Sequence, residues 1–267
     1  NRIGSAGMPY IKTIDMRKEK MEKDSWISPS LKSARLEALE SGEQVLLFIN
    51  RRGYAPLTIC KNCGDKIGCS KCDSYLVHHK NKNKLLCHQC GYTEVFLDKC
   101  KSCKTENTFL QYGPGIERLL EETNKIFPDK SVSSISSDNS KDFLKTMDSL
   151  IKGEIDIIIG TQIISKGYHL PNLTLVGVID ADIGLASSDL RASEHTFQLL
   201  QQVSGRSGRD QKEGKALIQT YYPHHPVIHS LVNNHRDEFT EAELFMRERS
   251  ELPPYGRLAN ITVTDTS

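Results

Sequence analysis

The chain has 267 residues, of which 37% are hydrophobic, so it can build one large domain with an insertion, or two domains. Its formal net charge is +1, so no global field draws in nucleic acid and any such surface must be local. No apolar run approaches the roughly 20 residues that a membrane-spanning helix needs, so the sequence predicts no membrane partner.

The first 24 residues are polar and irregular, which predicts a linker. A helix is predicted next, because Ser28 is a suitable N-cap and Pro29 suits the first helical position. Residues 45–49 are a continuous apolar run, which predicts a strand buried on both faces. The predicted apolar face of the helix consists of Leu31, Ala34, Leu36, Ala38 and Leu39.

All eight cysteines lie between residues 60 and 103, as four Cys-x-x-Cys doublets. Two doublets supply the four thiolates of a tetrahedral zinc site, so the spacing predicts two closed, structural zinc sites. Residues 75–79 and 84–87 predict a hairpin that pairs the inner doublets and brings the outer ones together at its base. Sequential pairing along the chain stays possible. The favoured nested pairing gives site 1 as Cys60, Cys63, Cys100 and Cys103, and site 2 as Cys69, Cys72, Cys87 and Cys90.

A disulfide framework is the alternative use of these cysteines. It needs an oxidising compartment, and nothing at the N-terminus resembles a signal peptide, so metal binding is favoured. Between Cys60 and Lys104 there are nine lysines and four acidic residues, an excess that compensates the charge of two anionic metal–thiolate centres. This basic module is predicted either to contact nucleic acid or a partner protein, or to present only a solvated surface.

Strands and helices alternate after the cysteines, which predicts a parallel α/β sheet flanked by helices. Beyond residue 223 the chain is predicted to be helical from 229 to 251, with a final strand at 258–263. The predicted strands are 108–112, 131–137, 155–159, 173–179 and 216–220, and the predicted helices are 116–127, 141–152 and 194–203.

Two polar stretches are predicted at the carboxyl ends of strands, where open parallel sheets bind ligands. The first follows the strand 155–159 and includes glycines and polar side chains that suit a phosphate. It is not a Walker A loop, a pattern that this sequence lacks. An ordinary strand-to-helix connection is the alternative explanation. The candidate residues are Gly160, Thr161, Gln162, Lys166 and Gly167.

The second stretch, residues 202–209, contains Gln202, Gly205, Arg206 and Arg209. Two arginines three residues apart, with glycines around them, present rigid guanidinium groups with little surrounding bulk. That arrangement suits a polyphosphate or a transition state with spreading negative charge. A basic surface loop is the alternative, but the glycine spacing and the upstream Gln202 favour the phosphate role.

These motifs resemble those of a known family. Residues 202–209 are similar to motif VI of superfamily 2 helicases, and residues 160–167 to their motif V. Together with the cysteines, further stretches follow the order of one family, the primosomal replication-restart helicases (PriA, primosomal protein N′), over nearly the whole chain. These stretches are residues 45–56, residues 111–118, the sequence Asp180, Ala181, Asp182, and the sequence Leu252, Pro253, Pro254.

The resemblance implies a RecA-like second helicase lobe with an inserted zinc-ribbon module. It also implies ATP-dependent 3′-to-5′ unwinding of DNA, with two structural Zn²⁺ ions and with ATP and Mg²⁺. Arg206 and Arg209 would reach the γ-phosphate, and the other candidates in the two stretches would couple the nucleotide to the single strand. The implied parts are a linker (1–24), the lobe (25–57 and 105–222), the module (58–104) and a helical segment leading into a truncated C-terminal domain (223–267).

The implied partners are DNA at forks and D-loops, single strands, other primosomal proteins, single-strand-binding protein and a replicative helicase loader, in the cytoplasm at the nucleoid. The phosphate loop and Asp-Glu box of a first lobe are absent from this sequence, which starts at Asn1 and suggests a piece of a longer protein. We therefore expect weak ATP binding and no hydrolysis by this chain alone. The alternative function is a zinc-ribbon adaptor without a motor role. Asp180 and Asp182 are expected to line the interlobe cleft or to cap a strand.

Overall fold

The computed structural model describes residues 9–23, 25–50, 57–60, 63, 65, 67–72, 75–79, 84–87, 90–107, 109–112, 116–135, 143–161, 170–185, 189–208 and 212–259. The strands are β1 (Tyr10–Asp15), β2 (Gln44–Phe48), β3 (Leu57–Cys60), β4 (Val77–His79), β5 (Lys84–Leu86), β6 (Thr93–Val95), β7 (Phe109–Tyr112), β8 (Val132–Ile135), β9 (Ile157–Gly160), β10 (Leu173–Val178) and β11 (Lys215–Thr220). The helices are α1 (Pro29–Glu40), α2 (Ile116–Ile126), α3 (Phe143–Ile151), α4 (Asp182–Leu185), α5 (Ala192–Ser204), α6 (Pro226–Val232) and α7 (Arg236–Arg249). The chain divides into two compact units, 1–56 with 113–232 and 57–112 with 233–267.

The first unit contains a six-stranded parallel sheet in the order β1-β11-β10-β2-β9-β8. Every residue of the central strands β2, β9 and β10 is buried. Such burial is expected where helices cover both faces of a sheet, and it explains the continuous apolar runs in these strands. The predicted parallel α/β sheet is therefore confirmed.

The edge strand β1 corrects the predicted linker at residues 1–24. Its six residues pair with β11 along the full length of both strands, from Tyr10 opposite Lys215 to Asp15 opposite Thr220. Ile11 and Ile14 are buried, whereas Tyr10 and Lys12 are exposed. Because an edge strand is only partly covered, it can alternate polar and apolar residues. β1 therefore lacks the continuous apolar run that marks a central strand.

Helix α1 begins as predicted, because the Ser28 hydroxyl accepts a hydrogen bond from the Leu31 N–H at 3.2 Å. One predicted face residue was wrong: Leu36 is 47% exposed, and Arg35 is fully buried instead. The buried positions follow helical spacing from Leu31, and position 36 lies off that stripe. The Arg35 guanidinium lies 4.6 Å from the centre of the Phe127 ring. Burial lowers the pKa of Arg35 to about 10, so the side chain stays cationic at neutral pH.

The second unit contains a five-stranded sheet in the order β6-β5-β4-β3-β7. The predicted hairpin is confirmed, because β4 and β5 pair antiparallel from Val77 opposite Leu86 to His79 opposite Lys84. The predicted strand at 108–112 was assigned to the wrong sheet, since β7 pairs antiparallel with β3 rather than joining the parallel sheet. A short strand carries no local information about its partner, so the alternation pattern misplaced it.

The C-terminal part of the described chain holds two helices where one was predicted. Between α6 and α7, Asn234 adopts a left-handed conformation with φ of 55°, which ends the first helix before the second begins. The predicted final strand lies largely outside the described residues. Among the described helices, none is long and apolar enough to cross a membrane.

Two polar side chains hold the segment that leads into α1. The Gln219 carbonyl oxygen accepts from the Ser28 N–H at 2.8 Å, and its amide donates to the carbonyl oxygens of Trp26 and Ile179, both at 2.8 Å. From α2, the Glu122 carboxylate accepts from the N–H groups of Trp26 at 3.0 Å and Ile27 at 3.1 Å. Long-range polar bonds therefore fix the start of α1 against both β11 and α2.

The first prediction concerns Gln219, which is 1% exposed. Gln219→Leu should lower the free energy of unfolding by about 2–4 kcal/mol, because it removes hydrogen bonds from two buried backbone groups and one half-buried one. Urea unfolding followed by the fluorescence of Trp26, the single tryptophan, measures this loss. Gln198→Leu, at an exposed position of α5, is the control and should change little. Equal stability of the two variants would contradict the prediction.

Candidate metal centres and arginine segment

The eight cysteines gather into two groups of four. Within each group the sulfur atoms lie within 4.8 Å of one another, so each group could hold one metal ion. The sulfurs group in the nested arrangement and not in the sequential one. The first group is Cys60, Cys63, Cys100 and Cys103, and the second is Cys69, Cys72, Cys87 and Cys90.

The sulfur spacing fits a zinc tetrahedron. Four pairs of sulfurs from different doublets lie 3.5–3.6 Å apart, and none of the cysteines is in a disulfide. A disulfide would bring two sulfurs to about 2.05 Å. Four sulfurs at about 2.3 Å from a central zinc are about 3.8 Å apart, close to the observed spacing. The residues present therefore fit one zinc ion in each group.

A repeated backbone turn forms these sites. The N–H of the first cysteine bonds the carbonyl five residues later in three doublets: Cys60 to Asp65 at 2.8 Å, Cys87 to Tyr92 at 2.8 Å and Cys100 to Thr105 at 2.9 Å. Two of these turns carry a residue with positive φ just after the second cysteine, Gly91 at 77° and Lys104 at 62°. Each turn points both sulfurs of its doublet to the same side.

The sulfurs in each group resist ionisation without a cation. At Cys63 the hydrogen bond from Asp65 lowers the pKa, but burial and the sulfurs of Cys103, Cys100 and Cys60 together raise it to about 12. The pKa of Cys90 is raised in the second group, where burial and two neighbouring sulfurs outweigh the hydrogen bond from Tyr92. A divalent cation reverses this preference, because it stabilises the thiolate form.

The first polar stretch begins where predicted, at the carboxyl end of β9. Gly160 is the last residue of that strand, and its carbonyl accepts from the Ile49 N–H at 3.0 Å. Thr161 follows and is buried, with 5% of its surface exposed. Gln162, Lys166 and Gly167 lie outside the described residues. Gly160 and Thr161 therefore lie at the carboxyl edge of the sheet.

The second polar stretch, residues 202–209, is called the arginine segment below. Its described part, up to Gly208, lies at the opposite, amino edge of the sheet, so the prediction that placed it at the carboxyl edge was wrong. Helix α5 spans 13 residues, or about 20 Å, and returns the chain to the edge where β11 begins. Beyond it, the Gly208 N–H bonds the carbonyl of Leu173, the first residue of β10, at 3.0 Å. Arg206 is half-buried and Gln202 is exposed. Arg209 lies outside the described residues.

A glycine pair at the base of this segment was missed by the sequence analysis. Gly208 has a φ of 66°, and a Cβ there would lie 2.1 Å from the Gly214 nitrogen. A Cβ on Gly214 would lie 2.3 Å from the Ser207 carbonyl carbon and 2.4 Å from the Gly208 nitrogen. The two backbones touch, so both positions require glycine. Gly214 falls outside the Gly-Arg-x-Gly-Arg pattern, and only its proximity in space reveals it.

Asp180 and Asp182 are used within the fold. One Asp180 oxygen accepts from the N–H groups of Asp182 at 2.9 Å and Ile183 at 3.2 Å, which caps α4. The Asp182 carboxylate accepts from the Thr220 hydroxyl and from the Tyr221 N–H, the latter at 2.7 Å. Asp182 therefore links the carboxyl ends of β10 and β11.

The family model and the curated relatives agree on one family. A family model described as the PriA DNA helicase Cys-rich region (CRR) domain matches residues 69–94. All of the chain aligns at 45% identity with 42% of the replication restart protein PriA of Rickettsia conorii. The chain belongs to the PriA family. The PriA protein of Bacillus subtilis is 37% identical over 99% of the chain and 33% of its own length.

The chain spans less than half the length of these PriA relatives. Among solved structures, RecG bound to a three-way DNA junction matches with a TM-score of 0.50 and 12% identity, over 95% of this chain and 24% of RecG. At that identity the match speaks for the fold alone. It agrees with the helicase-like parallel sheet that the PriA motifs imply.

The second prediction concerns metal content. At pH 8 the chain should hold two zinc ions, and Cys100→Ser should leave one, with Ser102→Ala as a control that keeps both. Because the thiol pKa values are raised, protons compete with zinc, and a chelator should remove zinc more readily at pH 6 than at pH 8. Metal analysis after dialysis measures both effects. Retention that does not depend on pH would count against thiolate ligation.

The third prediction concerns the glycine pair. Gly214→Ala should lower the free energy of unfolding by about 1–3 kcal/mol, because its Cβ would overlap backbone atoms that cannot rotate away. Gly68→Ala is the matched control, since its Cβ would meet nothing within 4 Å. Urea unfolding compares the two variants. If both variants lose the same free energy of unfolding, the backbone contact between Gly208 and Gly214 is not the cause of the loss.

Proposed function

We propose that this chain is the second motor lobe of an ATP-dependent 3′-to-5′ DNA helicase that acts in replication restart at stalled forks. The observation that carries the proposal is the whole-chain similarity to PriA proteins, together with a parallel sheet that has a motif V stretch at one edge and a motif VI stretch at the other. The first unit would correspond to this lobe, and the zinc module would lie in the second unit.

The arginine segment would serve the nucleotide. Arg206 and Arg209 would contact the γ-phosphate of Mg²⁺-ATP held by a separate lobe, where a fixed guanidinium stabilises charge that develops during phosphoryl transfer. The backbone of the segment is suited to this role, because the glycine contact and the bond from Gly208 to Leu173 hold its position. Gln202 and Gly205 belong to the same segment and would support the arginines.

The carboxyl edge would serve DNA. Thr161, Gln162 and Lys166, with Gly160 and Gly167 in the same stretch, would contact the phosphates of a single strand. A fork or D-loop is the proposed DNA substrate, because the chain is similar over its whole length to replication restart proteins. With the two motifs at opposite edges, the lobe would link nucleotide state at one edge to strand position at the other.

The zinc module would have a structural and docking role. Each closed set of four thiolates leaves no position for a catalytic water, so zinc would supply folding energy to the small sheet. Other primosomal proteins, single-strand-binding protein and a replicative helicase loader are the proposed partners, at the nucleoid in the cytoplasm. A zinc-ribbon adaptor without a motor role is the competing function, since the module belongs to a compact unit of its own.

The fourth prediction separates motor from adaptor. In the longer protein, Arg206→Ala or Arg209→Ala should lower DNA-stimulated ATP hydrolysis by about 10³-fold or more while fork binding persists. Arg191→Ala, at an exposed position near the start of α5, is the control. Unchanged hydrolysis in both variants would support the adaptor.

The same assay applies to the chain alone. It has no Walker A sequence, so it should show no DNA-stimulated ATP hydrolysis at any ATP concentration. Measurable turnover by the purified chain would contradict the assignment to a second lobe.

A further inference from the structure

Two neighbouring aromatic rings are exposed at the carboxyl edge of the sheet. Tyr221 and Tyr222 follow β11 directly and are 41% and 61% exposed. Two adjacent exposed tyrosines present flat ring faces on which another ring can stack.

The backbone beneath these rings is held firmly. The Tyr221 N–H donates to Asp182 at 2.7 Å, the Tyr222 N–H donates to the Thr220 hydroxyl at 2.9 Å, and the Tyr222 carbonyl accepts from the His225 N–H at 2.9 Å. The Thr220 hydroxyl in turn donates to Asp182. Because these bonds fix the turn before any ligand arrives, little chain entropy is lost when the rings bind.

A basic turn adjoins the tyrosines. It follows β1, the neighbour of β11, and the Met16 N–H bonds the Thr220 carbonyl at 3.0 Å. Residues 17–20 of this turn contribute three cations, including Lys18, whose side chain is 82% exposed.

The carboxylates of this turn are already engaged. Arg17 binds both oxygens of Asp15, at 2.8 and 2.7 Å, and its hydrogen bond lowers the pKa of Asp15 to about 2. Glu19 accepts from the N–H and the hydroxyl of Ser30 at the start of α1. Lys18 also lies 3.9 Å from one Asp15 oxygen, which Arg17 already binds. The exposed positive charge beside the rings is therefore mainly that of Lys18 and Lys20.

We propose that Tyr221, Tyr222 and the basic turn at residues 17–20 form a contact site for single-stranded DNA. The rings would stack on bases, and the lysines would neutralise phosphates; exposed aromatic rings beside cations suit a single strand because every base offers a flat face. The site shares the carboxyl edge with Thr161, three strands away at about 14 Å, so one strand could contact both. This inference rests on the proposed helicase function.

Single-strand binding by the chain tests the site. Tyr221→Leu/Tyr222→Leu keeps apolar bulk but removes the ring faces, and it should weaken binding of a fluorescent oligothymidine by about 5- to 100-fold. Tyr221→Phe/Tyr222→Phe keeps the rings and should bind like the parent chain. Tyr10→Leu is the matched control, since Tyr10 is 64% exposed but lies at the amino edge.

A charge variant tests the second half of the site. Lys18→Ala should reduce the slope of log affinity against log salt by about 0.7, the value for one lost phosphate contact on a single strand, and Lys12→Ala should leave the slope unchanged.

The outcomes separate this inference from the proposed function. If the parent chain binds oligothymidine and the leucine pair binds equally well, the stacking site is wrong while the helicase lobe stands. If the leucine pair and Tyr10→Leu weaken binding equally, the site is also wrong. If the parent chain fails to bind DNA and the longer protein shows no DNA-stimulated ATP hydrolysis, the proposed function fails with it.

Discussion

In the six-stranded sheet, every strand runs parallel to its neighbours, so each connection must carry the chain back across the sheet before the next strand begins. A residue just after a strand therefore lies at the carboxyl edge, and a residue just after the following helix lies at the amino edge. Thr161 follows β9, whereas Arg206 follows α5. The described residues of the two stretches that resemble helicase motifs V and VI are therefore at opposite edges of one sheet, and the proposed coupling between nucleotide and DNA depends on that separation.

The five-stranded sheet has a small hydrophobic core, and metal binding by the cysteines would add to its stability. Among the described residues, its buried cluster consists of Leu76, Leu85 and Cys87, with Cys69, Cys72 and three partly buried apolar side chains packed against it. A sheet with so few buried apolar residues gains little from the hydrophobic effect, and small domains of this kind commonly use metals or disulfides for stability. The cysteines at the second site are thus both candidate ligands and part of the core, so metal binding and folding of this sheet should be closely linked.

Buried and half-buried polar side chains hold the start of α1. Gln219 and Glu122 satisfy backbone groups of residues 26–28, and Arg35 is buried over Phe127. Among the described residues, the Arg35 guanidinium nitrogens have no hydrogen-bond partner. Its charge is stabilised instead by the face of the Phe127 ring and by the field of Glu122. Hydropathy alone assigns such residues to the surface, and here they form part of the interior.

The sequence by itself determined the features that depend on near neighbours in the chain. The cap at Ser28, the apolar strands β2, β9 and β10, the β4–β5 hairpin and the cysteine doublets all follow from residues within a few positions of each other. The nested cysteine pairing was accessible too, because a single short hairpin brings the doublets together. Tertiary structure decided the rest: β1 as an edge strand, β7 in the small sheet, Arg35 in place of Leu36, and the sheet edge of the arginine segment. Each of these depends on a partner far away in the sequence, and the energy of such a contact leaves no mark on the local pattern of hydrophobic residues.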